Sequence, residues 1–481
     1  MADQRPFYIT TTLPYVNAEP HIGFALEIVQ ADILARYRAL RGDEVFFNTG
    51  TDEHGLKIYR KALEEGKSPQ AYVDEYAEKF RGLKEKLGLE DGVRFIRTTD
   101  AHHIAAAQEF WRRCEKNGDI YKKLYQIKYC VGCELEKTNS ELVDGRCPLH
   151  PAMQIETIDE ENYFFRFSKY RDALLARYGA APAFVAPESR LNEVRAFAER
   201  GFEDFSISRL AEKMPWGIPV PGDSAQVMYV WFDALINYIS TLGWPEDAAS
   251  FERFWGSAAH PNAVQIAGKD NLRQQSAMWQ AMLLSAGLPL SRQIVIHGFI
   301  TSGGRKMSKS LGNVINPYEL VDAYGTDAVR YYLARHINPL EDSDFTVEKF
   351  KEAYNADLAN GLGNLVARVM QLAETHLEGD MRYRESAPPP GYGEAIEAYE
   401  FNRALDLVFA RVQSLDQAIT QGEPFRVVKQ DLERGTRMIA DMRQELYAIG
   451  QLLAPFLPAA SSAIAEAVRE NKKPPTLFPR R

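Results

Sequence analysis

The sequence predicts an α/β fold in three parts: a doubly wound parallel sheet of the Rossmann type, an insertion with a metal knuckle, and a C-terminal α-helical bundle. Three observations predict it. A strand, an amphipathic helix and a second strand open the chain. Four cysteine and histidine residues then cluster where this alternation breaks, and no strand pattern follows residue 356. At 481 residues the chain is too long for one ordinary core.

The composition sets the class of protein. Hydrophobic residues make up 45% and charged residues 26%, as in soluble globular proteins. Four cysteines are too few for a disulfide scaffold, so we expect a reducing compartment and a cytoplasmic protein. The net charge of −9 argues against a chain coated in nucleic acid, so any such partner must meet a local basic surface.

Neither end of the chain predicts targeting or membrane insertion. Residues 1–12 lack a basic segment followed by an apolar run, so we expect no secretory signal. The apolar stretch at 446–468 contains two prolines, two serines and a glutamate, which favours a buried helical hairpin over a membrane span.

The opening elements predict a parallel βαβ unit. Residues 7–12 form a strand pattern, 22–40 repeat apolar side chains at helical spacing, and 44–49 form a second strand pattern. In such sheets ligands lie beyond the carboxyl ends of the strands, where His21 and the "GTDEHG" segment at 50–55 fall.

The later segments predict the remaining domains. From about Tyr121 the pattern becomes short strands, turns and helices, which we interpret as an insertion; the alternation resumes at 227–240 and 262–288, and the strand at 293–300 leads into "TSGGRKMSKSLGN". Beyond residue 356 only helices are expected, around a Pro-rich linker. We predict five domains: 1–117, first half of the sheet; 118–215, insertion; 216–325, second half; 326–355, connector; 356–481, helical bundle.

A metal motif lies in the insertion. Cys130, Cys133, Cys147 and His150 follow the pattern C-x2-C-x13-C-x2-H, which is typical of a structural zinc knuckle. All four positions are protein ligands, so the metal would fold the insertion rather than perform chemistry. A redox dithiol at Cys130 and Cys133 is the alternative, and Cys114 is expected to be a small buried side chain.

Two segments suit phosphate binding. His21 and Gly23 stand at the predicted start of the first helix, where backbone N–H groups and the helix dipole favour an anion. The loop "RKMSKS" at 305–310 brings two lysines behind two glycines, directly after a predicted buried strand. Taken singly, a histidine that caps a helix and a solvated lysine loop are the simpler interpretations.

Together these segments resemble the paired HIGH and KMSKS signatures of class I aminoacyl-tRNA synthetases. The second is matched at every letter, and the first departs at Phe24. Within that class the chain resembles the methionyl-tRNA synthetase family from about residue 7 to 429. The resemblance rests on the segments "LPYVNAEPHIG", "TDEHG", "YVWFDALINY", "GKD" and "HGF" together with the lysine loop.

The resemblance implies amino-acid activation, in which a carboxylate attacks the α-phosphate of ATP and pyrophosphate leaves. Positioning and charge stabilisation would drive it without a general base. Phe24 cannot donate a hydrogen bond, so a redistributed phosphate clamp is expected. The implied catalytic and ATP-binding residues, acting with Mg²⁺, are His21, Gly23, Asp270, His297, Lys306 and Lys309.

The resemblance also implies a methionine pocket. Asp52 would take the ammonium group, although a turn-capping carboxylate is the alternative. The pocket would be an apolar slot with one hydroxyl near the sulfur, and Gln275 is expected to bond Tyr238 where the family usually has histidine. Ordinary core packing is the alternative for the aromatics. The implied residues are Leu13, Tyr15, Asp52, Trp231, Leu235, Tyr238 and Gln275.

The implied macromolecular partner is tRNA(Met). Asn364 and Arg368 lie one helical turn apart and can read base edges, and Phe425 offers a stacking surface. By resemblance these residues would meet the anticodon, whereas singly each is an ordinary helix-surface residue. We find no match to the appended domain that dimerises some relatives, so a monomer is expected.

Competing hypotheses differ in size or chemistry. Leucyl, isoleucyl and valyl relatives usually need a large editing insertion, and a cysteinyl enzyme would place zinc in its amino-acid pocket. From another class, Phe24, Gln274 and Gln275 suggest a catalytically weakened paralogue that acts as an RNA-binding or regulatory module. Retention of Asp52 and both loop lysines argues against that module.

Overall fold

The computed structural model describes residues 4–133, 135–137, 141–307, 312–378 and 386–481. The chain divides into two compact units. The first unit comprises Met1–Glu19, Asp43–Gly82 and Gly92–Ile296; the second comprises Pro20–Gly42, Leu83–Asp91 and His297–Arg481. The finer division into five domains stays a prediction.

A six-stranded sheet organises the first unit. Its strands are β1 (Pro6–Thr11), β2 (Glu44–Thr51), β3 (Arg94–Arg97), β7 (Val185–Ala186), β12 (Ala263–Gly268) and β13 (Gln293–His297). The spatial order is β3-β2-β1-β12-β13-β7, and β1 pairs in parallel with both β2 and β12. The order reverses between β1 and β12, which is the switch point where doubly wound sheets bind ligands. The predicted fold class is confirmed.

Two smaller sheets complete the strands of the first unit. The β10-β11-β9 sheet contains β9 (Ser208–Leu210), β10 (Pro219–Val220) and β11 (Asp223–Met228). The β5-β4-β6-β8 sheet contains β4 (Ile120–Cys130), β5 (Leu135–Glu136), β6 (Glu156–Phe165) and β8 (Phe205–Ser206). The antiparallel pair β4–β6 is longer than the short strands that the sequence predicted, because ten consecutive residue pairs hold it together.

Helices and a large aromatic core support the main sheet. Trp111, Trp255 and Trp279 are fully buried, and Phe110 stacks on Trp279 at 5.7 Å between ring centroids. The helices of this unit are α2 (Leu56–Glu64), α3 (Pro69–Arg81), α5 (Ala101–Lys116), α6 (Arg171–Ala180), α7 (Glu188–Glu199), α8 (Val230–Ala234), α9 (Asn237–Ser240), α10 (Ala248–Phe254) and α11 (Trp279–Ser285).

The second unit is mainly helical. Its first helix, α1, spans Ile22–Leu40, the range that the apolar spacing predicted. The other helices are α4 (Leu83–Lys86), α12 (Pro317–Tyr324), α13 (Thr326–Arg335), α14 (Val347–Ala353), α15 (Asn364–His376), α16 (Tyr392–Glu397), α17 (Phe401–Gly422), α18 (Pro424–Gln430), α19 (Leu432–Leu453) and α20 (Pro458–Glu470). α19 and α20 form the predicted C-terminal hairpin. Among the described residues, no helix has both the length and the apolar content needed to cross a membrane.

One predicted strand is wrong. The segment at 293–300 is not continuous: β13 ends at His297, and a separate strand, β14 (Ile300–Ser302), pairs with β15 (Arg305–Lys306) and β16 (Ser343–Asp344). Gly298 lies so close to the backbone of Glu341 that a Cβ would come within 2.1 Å of its carbonyl carbon. The Phe299 N–H also donates to the Asp342 carboxylate at 2.9 Å. These contacts separate β13 from β14, although the apolar pattern across 293–300 is continuous.

Candidate active site and metal centre

The chain segments beyond the carboxyl ends of β1 and β2 bring the backbones of Tyr15 and Asp52 together. Tyr15 and Asp52 form an isolated parallel bridge, and the Asp52 N–H donates to the Pro14 carbonyl at 3.0 Å. Asp52 is 9% exposed, whereas Leu13 and Tyr15 are half-buried. A buried carboxylate beyond the carboxyl ends of parallel strands is suited to binding a small cation, such as the ammonium group of an amino acid.

The loop that carries Asp52 is held by its neighbour in the sequence. Glu53 is fully buried, and its carboxylate accepts hydrogen bonds from Arg97 Nε at 2.7 Å, Arg97 Nη2 at 2.9 Å and Thr51 Oγ1 at 2.6 Å. The Glu53 carbonyl accepts from the Trp216 indole at 2.6 Å. This bidentate pair fixes the backbone beside Asp52. Sequence reasoning missed it, although Glu53 stands in the quoted "TDEHG" segment.

A second buried pair connects this loop to α8. His54 Nδ1 lies 3.2 Å from Asp233 Oδ2, and both side chains are at most 5% exposed. Burial raises the pKa of Asp233, and the neighbouring imidazole opposes that rise. Asp233 stands two residues after Trp231, and Trp231 and Tyr15 pack against the same cluster of Tyr129, Tyr229, Val230 and Ala234. The structure thus brings Tyr15, Asp52 and Trp231 into one region.

The predicted contact between Gln275 and Tyr238 is confirmed. Gln275 Nε2 donates to the Tyr238 hydroxyl at 2.6 Å, and both side chains are at most 2% exposed. Leu235 is 2% exposed and lies in the same hydrophobic core as Tyr238. A buried hydroxyl within an apolar core suits contact with a long apolar side chain that carries a weak hydrogen-bond acceptor.

The four predicted metal ligands converge. The ligand atoms of Cys130, Cys133, Cys147 and His150 all lie within 4.8 Å of one another. Cys133 Sγ is 3.4 Å from Cys147 Sγ and 3.2 Å from His150 Nδ1. Tetrahedral zinc with bonds of about 2.0 to 2.3 Å requires ligand separations of roughly 3.5 to 3.8 Å, so these four residues can hold such an ion. Only glycine fits at position 132, because a Cβ there would lie 2.5 Å from the His150 ring.

In the second unit, His21 and Gly23 start α1 as predicted. His21 is the N-cap, and its Nδ1 accepts from the Gly23 N–H at 3.1 Å. A Cβ on Gly23 would lie 3.0 Å from the His21 ring and 3.8 Å from the Met307 methyl group, so Met307 approaches this turn closely. The Lys306 side chain and all of Lys309 lie outside the described residues. Phe24 is 9% exposed, as one of the many buried residues of α1.

The other predicted nucleotide ligands differ in exposure. His297 is 5% exposed; its Nδ1 lies 2.8 Å from the Gly298 carbonyl and its Nε2 lies 2.9 Å from Glu27 Oε2. Both ring nitrogens therefore have hydrogen-bond partners inside the second unit. The sequence did not predict Glu27 as one of them. In the first unit Asp270 is exposed, on the turn that follows β12.

The predicted RNA-contact residues lie in the second unit. Asn364 is exposed at the start of α15, and Arg368 is half-buried on the same helix. The Arg368 guanidinium pairs with Asp416, which the sequence did not predict. Phe425 is 41% exposed near the start of α18, as a stacking surface requires.

Comparison with known proteins identifies the relatives of the chain. A family model described as tRNA synthetases class I (M) matches residues 7–156 and 150–370. A methionine–tRNA ligase of Thermosynechococcus vestitus is 42% identical over 95% of this chain and 89% of its own length. A methionine–tRNA ligase of Thermotoga maritima is 38% identical over 97% of this chain and 76% of its own length.

Solved structures agree over the whole chain. Mycobacterium tuberculosis methionyl-tRNA synthetase in complex with methionyl-adenylate superposes with a TM-score of 0.89 at 34% identity, covering 99% of both chains. The free form of that protein gives a TM-score of 0.83 at 31% identity, covering 100% of this chain and 99% of that one.

Proposed function

Because the chain belongs to the methionyl-tRNA synthetase family of class I tRNA synthetases, we propose that residues beyond its parallel strands activate methionine with ATP for transfer to tRNA(Met). Its reaction is that of a methionine–tRNA ligase. One observation carries the assignment of residues: the parallel bridge that pairs the backbone of Asp52, a buried residue, with that of Tyr15.

The amino-acid pocket follows from that bridge. Asp52 binds the ammonium group, because a carboxylate at 9% exposure is stabilised by a cation. The apolar side chain of methionine lies among half-buried and buried groups, with the Tyr238 hydroxyl near the sulfur. The residues of this pocket are Leu13, Tyr15, Trp231, Leu235, Tyr238 and Gln275.

ATP is held by groups that favour negative charge. His21 and the start of α1 bind phosphate oxygens, and Gly23 leaves room for the nucleotide to approach the backbone. Lys306 and Lys309 follow the β- and γ-phosphates, while Asp270 anchors the substrate. His297, whose ring lies against Glu27 of α1, also belongs to the ATP-binding residues. The methionine carboxylate is already ionised, so these residues act by positioning and charge stabilisation.

Two metals belong to this proposal. Cys130, Cys133, Cys147 and His150 would hold zinc, which folds the insertion because no coordination position is left open. Mg²⁺ would accompany ATP and offset phosphate charge. The RNA partner meets Asn364, Arg368 and Phe425, and the enzyme acts as a monomer in the cytoplasm.

Amino-acid-dependent ATP–pyrophosphate exchange tests the proposal. When all twenty amino acids are tested, exchange is expected with methionine only. It is also expected to require Mg²⁺. Absence of exchange with every amino acid, from folded and zinc-loaded protein, would reject activation. It would leave the RNA-binding module, which filter binding of tRNA(Met) would then reveal.

A further inference from the structure

A chain of hydrogen bonds runs from Tyr238 into the core of the first unit. Gln275 Nε2 donates to Tyr238, Gln265 Nε2 donates to Gln275 Oε1 at 3.3 Å, and Ser291 Oγ donates to Gln265 Oε1 at 2.5 Å. Gln280 Nε2 then donates to Ser291 Oγ at 3.0 Å. The four side chains behind Tyr238 are at most 1% exposed, so water does not compete for these bonds.

We call the hydrogen-bonded series of Gln280, Ser291, Gln265, Gln275 and Tyr238 the relay. Two backbone groups fix its direction. An amide side chain can usually be turned over to exchange its oxygen and nitrogen, so side-chain bonds alone leave the direction open. Here the Ser291 backbone N–H, which can only donate, bonds to Gln280 Oε1 at 3.2 Å. The Gln275 carbonyl, which can only accept, receives Gln280 Nε2 at 3.0 Å. The Gln280 amide therefore has one orientation.

The orientation of Gln280 passes along the relay. Because Ser291 Oγ accepts from Gln280, its own proton goes to Gln265 Oε1. Gln265 then presents its NH₂ group to Gln275 Oε1, and Gln275 presents its NH₂ group to Tyr238. The Tyr238 oxygen accepts this bond, so its proton points away from Gln275.

The direction of the hydrogen bond at Tyr238 decides whether its hydroxyl can donate to a thioether sulfur. A thioether sulfur is a weak acceptor and cannot donate, whereas a methylene group can do neither. On the basis of the function proposed above, we propose that Gln265, Gln280 and Ser291 are positioning residues for specificity. They hold Gln275 as a donor, so that the Tyr238 hydroxyl donates to the sulfur of methionine and discriminates against norleucine.

The test compares methionine with norleucine in ATP–pyrophosphate exchange. Ser291→Ala removes the hydroxyl but keeps the backbone N–H that orients Gln280, so the relay is cut between Gln280 and Gln265. The ratio of kcat/KM for methionine over norleucine is expected to fall roughly three- to tenfold, the effect of one neutral hydrogen bond. The loss should appear in KM for methionine, with KM for ATP unchanged.

Matched variants separate the relay from general damage. Ser285 is another buried serine of this unit, whose hydroxyl donates to Asp119 at 2.8 Å, and Ser285→Ala should keep the wild-type ratio. Gln265→Leu removes the donor to Gln275 Oε1 and should lower the ratio by about the same factor as Ser291→Ala. It also provides a second test if Ser291→Ala does not fold.

A double-mutant cycle decides the mechanism. In the Tyr238→Phe background, Ser291→Ala should have no further effect on the ratio. An unchanged ratio in folded Ser291→Ala would overturn the inference, as would an equal fall in the Tyr238→Phe background. Absence of exchange with either amino acid in the wild-type protein would instead reject the proposed function, and this inference with it.

Discussion

Substitution of Arg330 is expected to destabilise the second unit strongly. Arg330 and Asp32 are fully buried, and Arg330 Nη2 lies 2.7 Å from Asp32 Oδ2. The guanidinium also donates to three carbonyls: Nε to Phe456 at 2.8 Å, Nη1 to Leu87 at 3.0 Å and Nη2 to Pro455 at 3.0 Å. Arg330 thus joins α1, α13 and the turn between α19 and α20.

The magnitude follows from what Arg330→Met would leave behind. Breaking a buried pair costs about 3–5 kcal/mol, because the remaining charge stays buried. Asp32 would keep two donors, Arg36 Nε at 2.7 Å and the Glu90 N–H at 2.9 Å, which places the expectation near the lower end, about 3 kcal/mol. With an m-value of about 2–3 kcal/mol/M, the urea midpoint should fall by roughly 1–1.5 M.

Urea unfolding followed by circular dichroism at 222 nm measures this shift. All six tryptophans lie in the first unit, so their fluorescence follows that unit separately. Arg426→Met is the matched control, because Arg426 is 65% exposed and its ion pair with Glu423 lies on the surface. A shift for Arg330→Met no larger than that of the control would refute the reasoning.

Three further outcomes are expected. Asp52→Asn should raise KM for methionine by about a hundredfold and leave KM for ATP nearly unchanged in exchange assays, because the buried ammonium loses its counter-charge. Cys133→Ser should abolish bound zinc in elemental analysis and make the insertion sensitive to limited proteolysis. Burial lowers the pKa of His103 to about 3, so the unfolded chain takes up a proton first as the pH falls below about 6.5 and stability is lost toward pH 3. In urea unfolding, the free energy of unfolding should fall between pH 6.5 and pH 5 by about 2 kcal/mol less in His103→Asn than in the wild type.

Each of these outcomes has a control within the chain. Asp172→Asn alters a carboxylate that is 89% exposed, and both KM values should stay as in the wild type. Cys114→Ala removes a buried thiol outside the metal cluster, and zinc should remain at one ion per chain. His102→Asn alters an exposed neighbour of His103, and the slope of stability against pH should persist. Equal effects in a variant and its control would contradict the assigned cause.

The sequence predicted the features that depend on neighbouring residues. Apolar spacing gave the bounds of α1, and ligand spacing identified the four residues of the metal cluster. Even the contact between Gln275 and Tyr238 was expected, because the resemblance placed both in one pocket. The break after His297 was missed, because close approach of Gly298 to the Glu341 backbone leaves no mark in hydropathy.

The sequence by itself therefore determined the fold class, the first helix, the four residues that can hold a metal and the family of the chain. Only the tertiary structure decided which buried charges meet: Glu53 with Arg97, and Asp32 with Arg330. It also decided the direction of the relay behind Tyr238. Periodicity and motif spacing report contacts within a few turns, whereas the state of a buried polar group depends on partners from distant segments. Their identity and orientation exist only once the chain has packed.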